Sequence, residues 1–154
     1  TEMSQIIQEG SGPYAFLYSK KKNIIEPAVD QLKKAEHISV YLKSDIPNRY
    51  HFKNHHRIKD ALIVADEGWY IQNQAISSSS TAGEYIPTGG THGYDNQLKS
   101  MHALFIAQGP AFKKDIVTEP FENVNIYPMI AHILGIDPSK NIDGNLNNIK
   151  HLLK

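Results

Sequence analysis

Short apolar runs recur along the chain and are separated by polar stretches that contain glycine and proline. Short runs rich in aromatic and β-branched side chains are typical of strands. One of these runs is apolar almost throughout, as expected of a strand that is covered on both faces. The pattern predicts strands at 14–18, 38–42, 60–66, 69–71 and 101–107, of which 60–66 is the nearly continuous run.

Two segments instead repeat apolar residues with the period of an amphipathic helix. The first stripe consists of Ile25, Ala28, Val29 and Leu32, and the second of Ile126, Met129, Ile130, Ile133 and Leu134. The first stripe predicts a helix at 24–36, with Lys33 and Lys34 in the last turn where positive charge suits the helix dipole. The second predicts a helix with Asn125 as its N-cap and Gly135 as its C-terminal stop.

The remaining segments are polar or short. Residues 1–8 are compatible with a helical turn, 43–59 with an irregular surface loop, and 73–90 with a long polar loop that leads to His92. A turn followed by a short helix is expected in 138–154. Strands that alternate with helices indicate an α/β class and a layered architecture with a largely parallel sheet.

Composition excludes several classes of function. Sixteen basic residues balance sixteen acidic ones, so no net field favours nucleic acid and we expect no nucleic-acid groove. The chain contains no cysteine, so any metal site must use histidine, carboxylate or other oxygen donors. No apolar run approaches the roughly 20 residues that a bilayer span needs. We therefore expect no membrane segment in this chain, and its first residues do not resemble a signal peptide.

One histidine stands in a glycine-rich loop, in the sequence Gly89-Gly90-Thr91-His92-Gly93-Tyr94-Asp95-Asn96. Flanking glycines allow positive φ and close approach of the backbone to a ligand. An imidazole presented in this way suits a metal ligand whose other ring nitrogen is held by an acceptor. Asp95, three residues on, is near enough to be that acceptor. The alternative is a turn histidine without a functional role.

Two weaker candidates lie elsewhere in the chain. His51 and His55 are spaced i, i+4, which on a helix would offer a divalent metal site, but their polar neighbours favour a surface loop. Asp66 and Glu67 form an acidic pair at the end of the predicted strand at 60–66, where carboxylates can bind metal or cap a turn. We favour the turn.

A series of motifs, taken in order, resembles the type I phosphodiesterase/nucleotide pyrophosphatase family (ectonucleotide pyrophosphatase/phosphodiesterases) of the alkaline phosphatase superfamily. The resemblance spans roughly residues 38–136. The motifs are DIPNRY at 45–50, RI at 57–58, VADEGW at 64–69, GTHGYDN at 90–96, SMH at 100–102, GPAF at 109–112 and NIYPM at 125–129.

The resemblance implies an alkaline-phosphatase-like, layered α/β/α fold. This chain, 1–154, would be only the C-terminal portion of one phosphodiesterase catalytic domain. Members of the family are two-zinc hydrolases that cleave phosphodiester or pyrophosphate bonds and use a threonine nucleophile near the start of the domain. By position, His92 matches the zinc-ligand histidine of the family's His-Gly-Tyr-Asp-Asn motif.

The same resemblance sets what this chain should lack. The family's nucleophile segment and its other metal-ligand segments have no counterpart here. The chain is therefore expected to supply one ligand of the two-zinc site, to need the N-terminal half of the domain as its partner, and to be inactive alone. The implied substrate is a small nucleotide or phosphodiester, and the implied location is extracellular, cell-surface or periplasmic. The alternative is a free-standing, catalytically inactive α/β domain that binds a ligand or partner.

Overall fold

The computed structural model describes residues 2–72 and 89–154. The chain divides into two compact units, Thr1–Met101 and His102–Lys154. The larger part of the predicted loop at 73–90 lies outside the described residues. Each unit is considered by itself below.

The first unit is built on a four-stranded sheet. Its strands are β1 (Ile7–Glu9), β2 (Tyr14–Tyr18), β3 (Ile38–Leu42) and β4 (Ala61–Ala65), in the spatial order β1-β2-β4-β3. All five residues of β4 are buried, which confirms that the continuous apolar run is a strand covered on both faces. The strands predicted at 14–18 and 38–42 are also confirmed, whereas β1 occupies part of the predicted helical turn at 1–8 and follows a single 3-10 turn, Glu2–Gln5.

Every strand pairing in this sheet is antiparallel, so the expectation of a largely parallel sheet is wrong. The helix α1 (Ile25–Leu32) connects β2 to β3, and such a crossover usually brings parallel strands together. Here β4 lies between β2 and β3 and pairs with both. The two strands joined by α1 therefore never pair with each other, and each meets an antiparallel neighbour.

Apolar clusters form from alternate residues of the central strands. The first cluster consists of Leu17, Ile25, Val29, Val40, Ala61 and Ile63, and the second of Ile46, Leu62 and Val64. Helix α1 packs Ile25 and Val29 into the first cluster. The second cluster gathers side chains from the irregular segment 43–59, including Ile46, which is fully buried. This segment is thereby held against the sheet.

Helix α1 is shorter than predicted. It ends at Leu32, with Lys33 as its C-cap, so neither predicted lysine lies within the helix. After Leu32 only Ala35 could continue the stripe, and it is exposed. Most helical stability in proteins comes from packing such a stripe. The chain then turns through His37, whose φ is 63°.

Two predicted strands are absent from the described residues. Only Ile71 of 69–71 pairs, in a two-hydrogen-bond bridge with Gly12 (both N–O distances 2.8 Å). The run at 101–107 forms no strand, and within it Leu104 and Ile106 are 85% and 80% exposed. An apolar run becomes a strand only when a neighbour pairs with its backbone. No described strand does so here.

The second unit contains the helix α2 (Ile126–Leu134), as predicted. Gly135 ends it with a left-handed φ of 66°, which confirms the predicted stop. Only part of the predicted stripe is buried: Met129 packs against Ile149, Leu152 and Leu153, while Ile130, Ile133 and Leu134 are 48%, 38% and 64% exposed.

Asn125 occupies the N-cap position of α2, as predicted, but it does not cap the helix with its side chain. Instead its Oδ1 accepts from the backbone N–H of Asn145 (2.8 Å) and from Nδ2 of Asn148 (3.4 Å). The oxygen that could cap the helix is thus engaged in a tertiary hydrogen bond.

The short C-terminal helix is present only as two 3-10 turns, Leu146–Asn148 and Lys150–Leu152. No described helix is long and apolar enough to cross a bilayer.

Candidate functional site

The glycine-rich loop presents His92 to solvent. The backbone has positive φ at Gly89 (99°) and Gly93 (106°), on either side of the exposed histidine. These angles are rarely adopted by residues with a side chain, which confirms that the glycines serve the conformation of the loop.

The carboxylate of Asp95 is bound by the segment that precedes β4, and no hydrogen bond joins it to the His92 ring among the described residues. Arg49 approaches it with two nitrogens: Nε lies 3.3 Å from Oδ1, and Nη2 forms an ion pair with Oδ2. The hydroxyl of Tyr50 donates to Oδ2 at 3.0 Å, and the backbone N–H of Gln97 donates to Oδ1 at 2.9 Å. Asp95, which the sequence left open as an acceptor for His92, is instead paired with Arg49 and Tyr50.

Two further hydrogen bonds fix the same loop. Nδ2 of Asn96 donates to the carbonyl oxygen of Arg49 at 3.0 Å. The hydroxyl of Tyr94 donates to the carbonyl oxygen of Trp69 at 3.0 Å. Three motifs that are far apart in the sequence, at 45–50, 64–69 and 90–96, therefore meet around one loop.

This pairing perturbs three titrating groups. The hydrogen bond to Asp95 raises the pKa of Arg49 above its usual value, although burial opposes it. Burial, reinforced by the hydrogen bond to Asp95, raises the pKa of Tyr50 from 10.0 to about 12. Burial alone would raise the pKa of Asp95, but hydrogen bonds from Arg49, the Gln97 amide and Tyr50 together lower it. At neutral pH the carboxylate is ionised and the phenol is protonated.

A cavity of about 380 Å³ borders the loop. Its walls are mostly aromatic and aliphatic, and come from the sheet, from the segment 43–59 and from the loop itself. They consist of Tyr14, Phe16, Tyr50, Phe52, Ile58, Leu62, Val64, Gly93, Tyr94 and Asn96. The residues that follow His92 therefore lie against an apolar surface, while the histidine is exposed.

The weaker candidates are not assembled into a site. His51 and His55 are both exposed and lie outside any α-helix, which confirms the surface-loop interpretation. Nδ1 of His55 accepts from the backbone N–H of Arg57 at 3.2 Å.

Asp66 closes a turn, as favoured from the sequence. Its carbonyl oxygen accepts from the N–H of Trp69 at 2.9 Å, and its Oδ2 lies 3.6 Å from Nδ1 of His37. The His37 ring stacks on Trp69 with a centroid distance of 3.8 Å and an interplanar angle of 8°. The carboxylate of Asp66 thus faces a histidine that is itself packed on an indole.

The fit of a zinc ion can be judged from these donors. His92 is an exposed imidazole on a loop that is held through Tyr94, Asp95 and Asn96, which suits one ligand. Within 2–72 and 89–154, no group of three or more His, Cys, Asp or Glu side chains could hold a metal ion. Among these described residues, His92 therefore offers a single imidazole donor to a metal ion.

Arg49 and Tyr50 are the site residues that sequence reasoning missed. In the sequence both belong to the motif at 45–50, and nothing local assigns them a role. Arg49 and Asp95 are 46 positions apart, so no local periodicity links them. The signal that could have found them is the pair of opposite charges within two motifs of one family.

Comparison with known proteins gives the family context. The model of the family described as type I phosphodiesterase / nucleotide pyrophosphatase matches residues 3–95. Among curated proteins, the chain is 47% identical over 118 residues to bis(5'-adenosyl)-triphosphatase enpp4 of Xenopus laevis, covering 76% of this chain and 24% of that protein. It is 41% identical over 137 residues to the Homo sapiens ENPP4 protein, covering 89% and 26% respectively. The chain thus spans about a quarter of the length of these relatives.

Solved structures agree with this. Human ectonucleotide pyrophosphatase/phosphodiesterase 5 superposes with a TM-score of 0.76 at 31% identity, over 98% of this chain and 38% of that chain. An inactive form of the murine protein in complex with AMP gives a TM-score of 0.76 at 30% identity, with the same coverage. These matches confirm the predicted resemblance and the alkaline-phosphatase-like α/β fold.

Proposed function

Because the chain belongs to the type I phosphodiesterase/nucleotide pyrophosphatase family, we propose that it takes part in hydrolysing phosphodiester or pyrophosphate bonds, with His92 as a zinc ligand. The observation that carries this proposal is the exposed His92 on a loop that two other family motifs hold in place. Relatives whose names describe a bis(5'-adenosyl)-triphosphatase, and a structural neighbour in complex with AMP, support a small nucleotide as the substrate class.

The residue types suit this chemistry. Neutral imidazole is a good zinc ligand, and His92 lies on an exposed loop where a ring nitrogen is accessible. Zinc, when bound, supplies Lewis-acid stabilisation of negative charge on phosphoryl oxygens. Asp95 stays ionised beside Arg49 and so does not compete for the metal as a free carboxylate.

Two zinc ions in the complete enzyme would need several ligands besides His92. We infer that these other ligands, together with the nucleophile, come from the N-terminal half of the catalytic domain. Exposed apolar side chains in the second unit support a partner of this kind, since such groups are normally covered. They include Leu104, Ile106, Val117 and Leu134, which are 85%, 80%, 99% and 64% exposed.

The test is the substitution His92→Ala in the complete protein. Loss of a neighbour that merely orients a ligand typically costs 10- to 100-fold in metal affinity or activity, so losing the ligand itself should cost at least about 100-fold. Hydrolysis of a nitrophenyl phosphodiester and zinc content after dialysis are measured together. Since His92 is exposed, the Tm of the zinc-free protein should change little.

The matched controls are His102→Ala and His132→Ala. Both residues are exposed histidines outside the glycine-rich loop, and both variants should keep near wild-type activity and zinc content. If His92→Ala hydrolyses the phosphodiester at the wild-type rate with full zinc occupancy, the ligand assignment is wrong.

A further inference from the structure

We propose that the ion pair between Arg49 and Asp95 is a positioning contact that sets the metal affinity of His92. Arg49 and Asp95 are positioning residues in this proposal, since they act through the loop that carries His92. The proposal rests on the proposed role of His92 as a zinc ligand and adds the contact that prepares it.

The geometry places the ion pair where it can act. Asp95 follows His92 by three residues, and Gly93, directly after the histidine, has a φ of 106°. Beyond that glycine, Asp95 is bound through two nitrogens of Arg49 and through the Tyr50 hydroxyl. Asp95 is thus the nearest side chain after His92 that is held by a charged partner.

The other end of the contact is anchored in the core. Arg49 lies in the 3-10 turn Asn48–Tyr50. The ring of Tyr50 stacks with that of Phe52 at a centroid distance of 5.9 Å, and both pack against the cluster that contains the fully buried Ile46. The loop that carries His92 is therefore tied to the sheet through a rigid segment.

Fixing the loop in advance favours metal binding for an entropic reason. A ligand on a mobile loop must be ordered when the metal binds, and that cost reduces the affinity. A loop that is already ordered by Arg49 avoids most of the cost. Planar, two-nitrogen contact is specific to arginine, since a lysine ammonium offers only a point charge.

A purely structural role would have a different signature. The side chains of Arg49 and Asp95 are each 28% exposed, and ion pairs with solvent access contribute little to global stability. We therefore expect that breaking the pair changes the Tm by less than about 4 °C. The change in zinc affinity should be much larger, about 10- to 100-fold.

The experiment uses the complete protein and the variants Asp95→Asn, Arg49→Lys, Arg49→Met and His92→Ala. Zinc retention is measured against increasing concentrations of a chelator, and the Tm and kcat are measured on the same samples. Asp95→Asn and Arg49→Met should lose zinc at a chelator concentration at least about tenfold lower than wild type. Arg49→Lys should lie between them and wild type. Added zinc should restore the kcat of Asp95→Asn, because His92 is still present, but not that of His92→Ala.

The matched control is Lys59→Met. It breaks another ion pair of the same unit, between Lys59 Nζ and Glu9 Oε2 at 3.0 Å, and should leave zinc retention at the wild-type value. The double variant Arg49→Met/Asp95→Asn supplies a coupling test. Its zinc affinity should equal that of whichever single variant, Arg49→Met or Asp95→Asn, binds zinc less tightly. The second substitution then removes a contact that is already lost.

The outcomes separate the two proposals. If His92→Ala loses zinc and Asp95→Asn retains it as wild type does, the positioning role is wrong and the ligand assignment stands. If Lys59→Met weakens zinc retention as much as Asp95→Asn, or if the Arg49 and Asp95 effects simply add, the positioning role is also wrong. If His92→Ala retains zinc, the ligand assignment fails and the positioning role fails with it.

Discussion

The Tyr14 ring lies against Gly93, so that a Cβ added to this glycine would be 3.4 Å from two ring carbons, Cδ1 and Cε1. Tyr14 begins β2, and Gly93 directly follows the candidate metal ligand. The contact joins the start of this inner strand to the loop at the position where the backbone has a φ of 106°. The added Cβ would make an ordinary van der Waals contact with the ring, so it is the backbone angle at Gly93 that favours a residue without a side chain.

Gly93→Ala should destabilise the protein by about 1–3 kcal/mol, since a residue with a side chain is strained at this φ. The free energy of unfolding, measured by urea denaturation of the complete protein, provides the test. Gly90→Ala is the control. Gly90 has no positive φ and nothing within 4 Å of its added Cβ, so its effect should stay within about 0.5 kcal/mol. Equal effects of the two substitutions would contradict the role given to the Gly93 backbone.

Tyr50→Phe should lower the free energy of unfolding by an amount that depends on pH. The folded protein raises the pKa of Tyr50 from 10.0 to about 12, so the folded state favours the protonated phenol. Its contribution is complete below pH 10.0 and is lost as the pH rises through about 12. We expect a deficit of about 1–2 kcal/mol in the free energy of unfolding at pH 8.

The pH dependence itself is the measurement. Urea denaturation of wild type and Tyr50→Phe from pH 8 upward should show the deficit shrinking above pH 10.0. An absorbance titration of the phenols should show that the variant lacks one late-titrating group. A deficit that stays constant through this range would show that the Tyr50 hydroxyl does not donate to Asp95.

Asn125→Ala should destabilise the second unit by about 1–3 kcal/mol, because it removes the acceptor of two partly buried hydrogen bonds. Asn125 is 2% exposed and accepts from the backbone N–H of Asn145 and the side chain of Asn148. Asn148→Ala is the control, since it removes only the longer, 3.4 Å contact. Urea denaturation should rank Asn125→Ala well below Asn148→Ala in stability. The reverse order would exclude Asn125 as the central acceptor.

The exposed face of α2 should cause the isolated 154-residue chain to self-associate. Ile130 and Leu134 are 48% and 64% exposed on this helix, and large apolar patches promote association. Sedimentation at increasing concentration should show oligomers that the double substitution Ile130→Lys/Leu134→Lys reduces. His132→Lys, an exposed change on the same helix, serves as control and should leave association unchanged. A wild-type chain that stays monomeric at high concentration would contradict this prediction.

Local pattern determined several features of this protein without any tertiary information. The runs at 14–18, 38–42 and 60–66 and the stripe ending at Gly135 are found as strands and a helix, because side-chain period and glycine stereochemistry act within one element. The positive φ on both sides of His92 follows from the same stereochemistry. The motifs also revealed the family, because their residues and their order along the chain can be recognised without a structure.

Only the tertiary structure decided which elements became neighbours. The same apolar run pairs equally well with a parallel or an antiparallel strand, so the insertion of β4 between β2 and β3 was not visible. The run at 101–107 has a strand's sequence but no described partner, and remains irregular. Arg49 and Asp95 meet across 46 positions, because the packing of 43–59 against the sheet brings the two segments together. Contacts of this kind depend on how separate elements pack. The residue pattern within one element does not specify which other element it will contact.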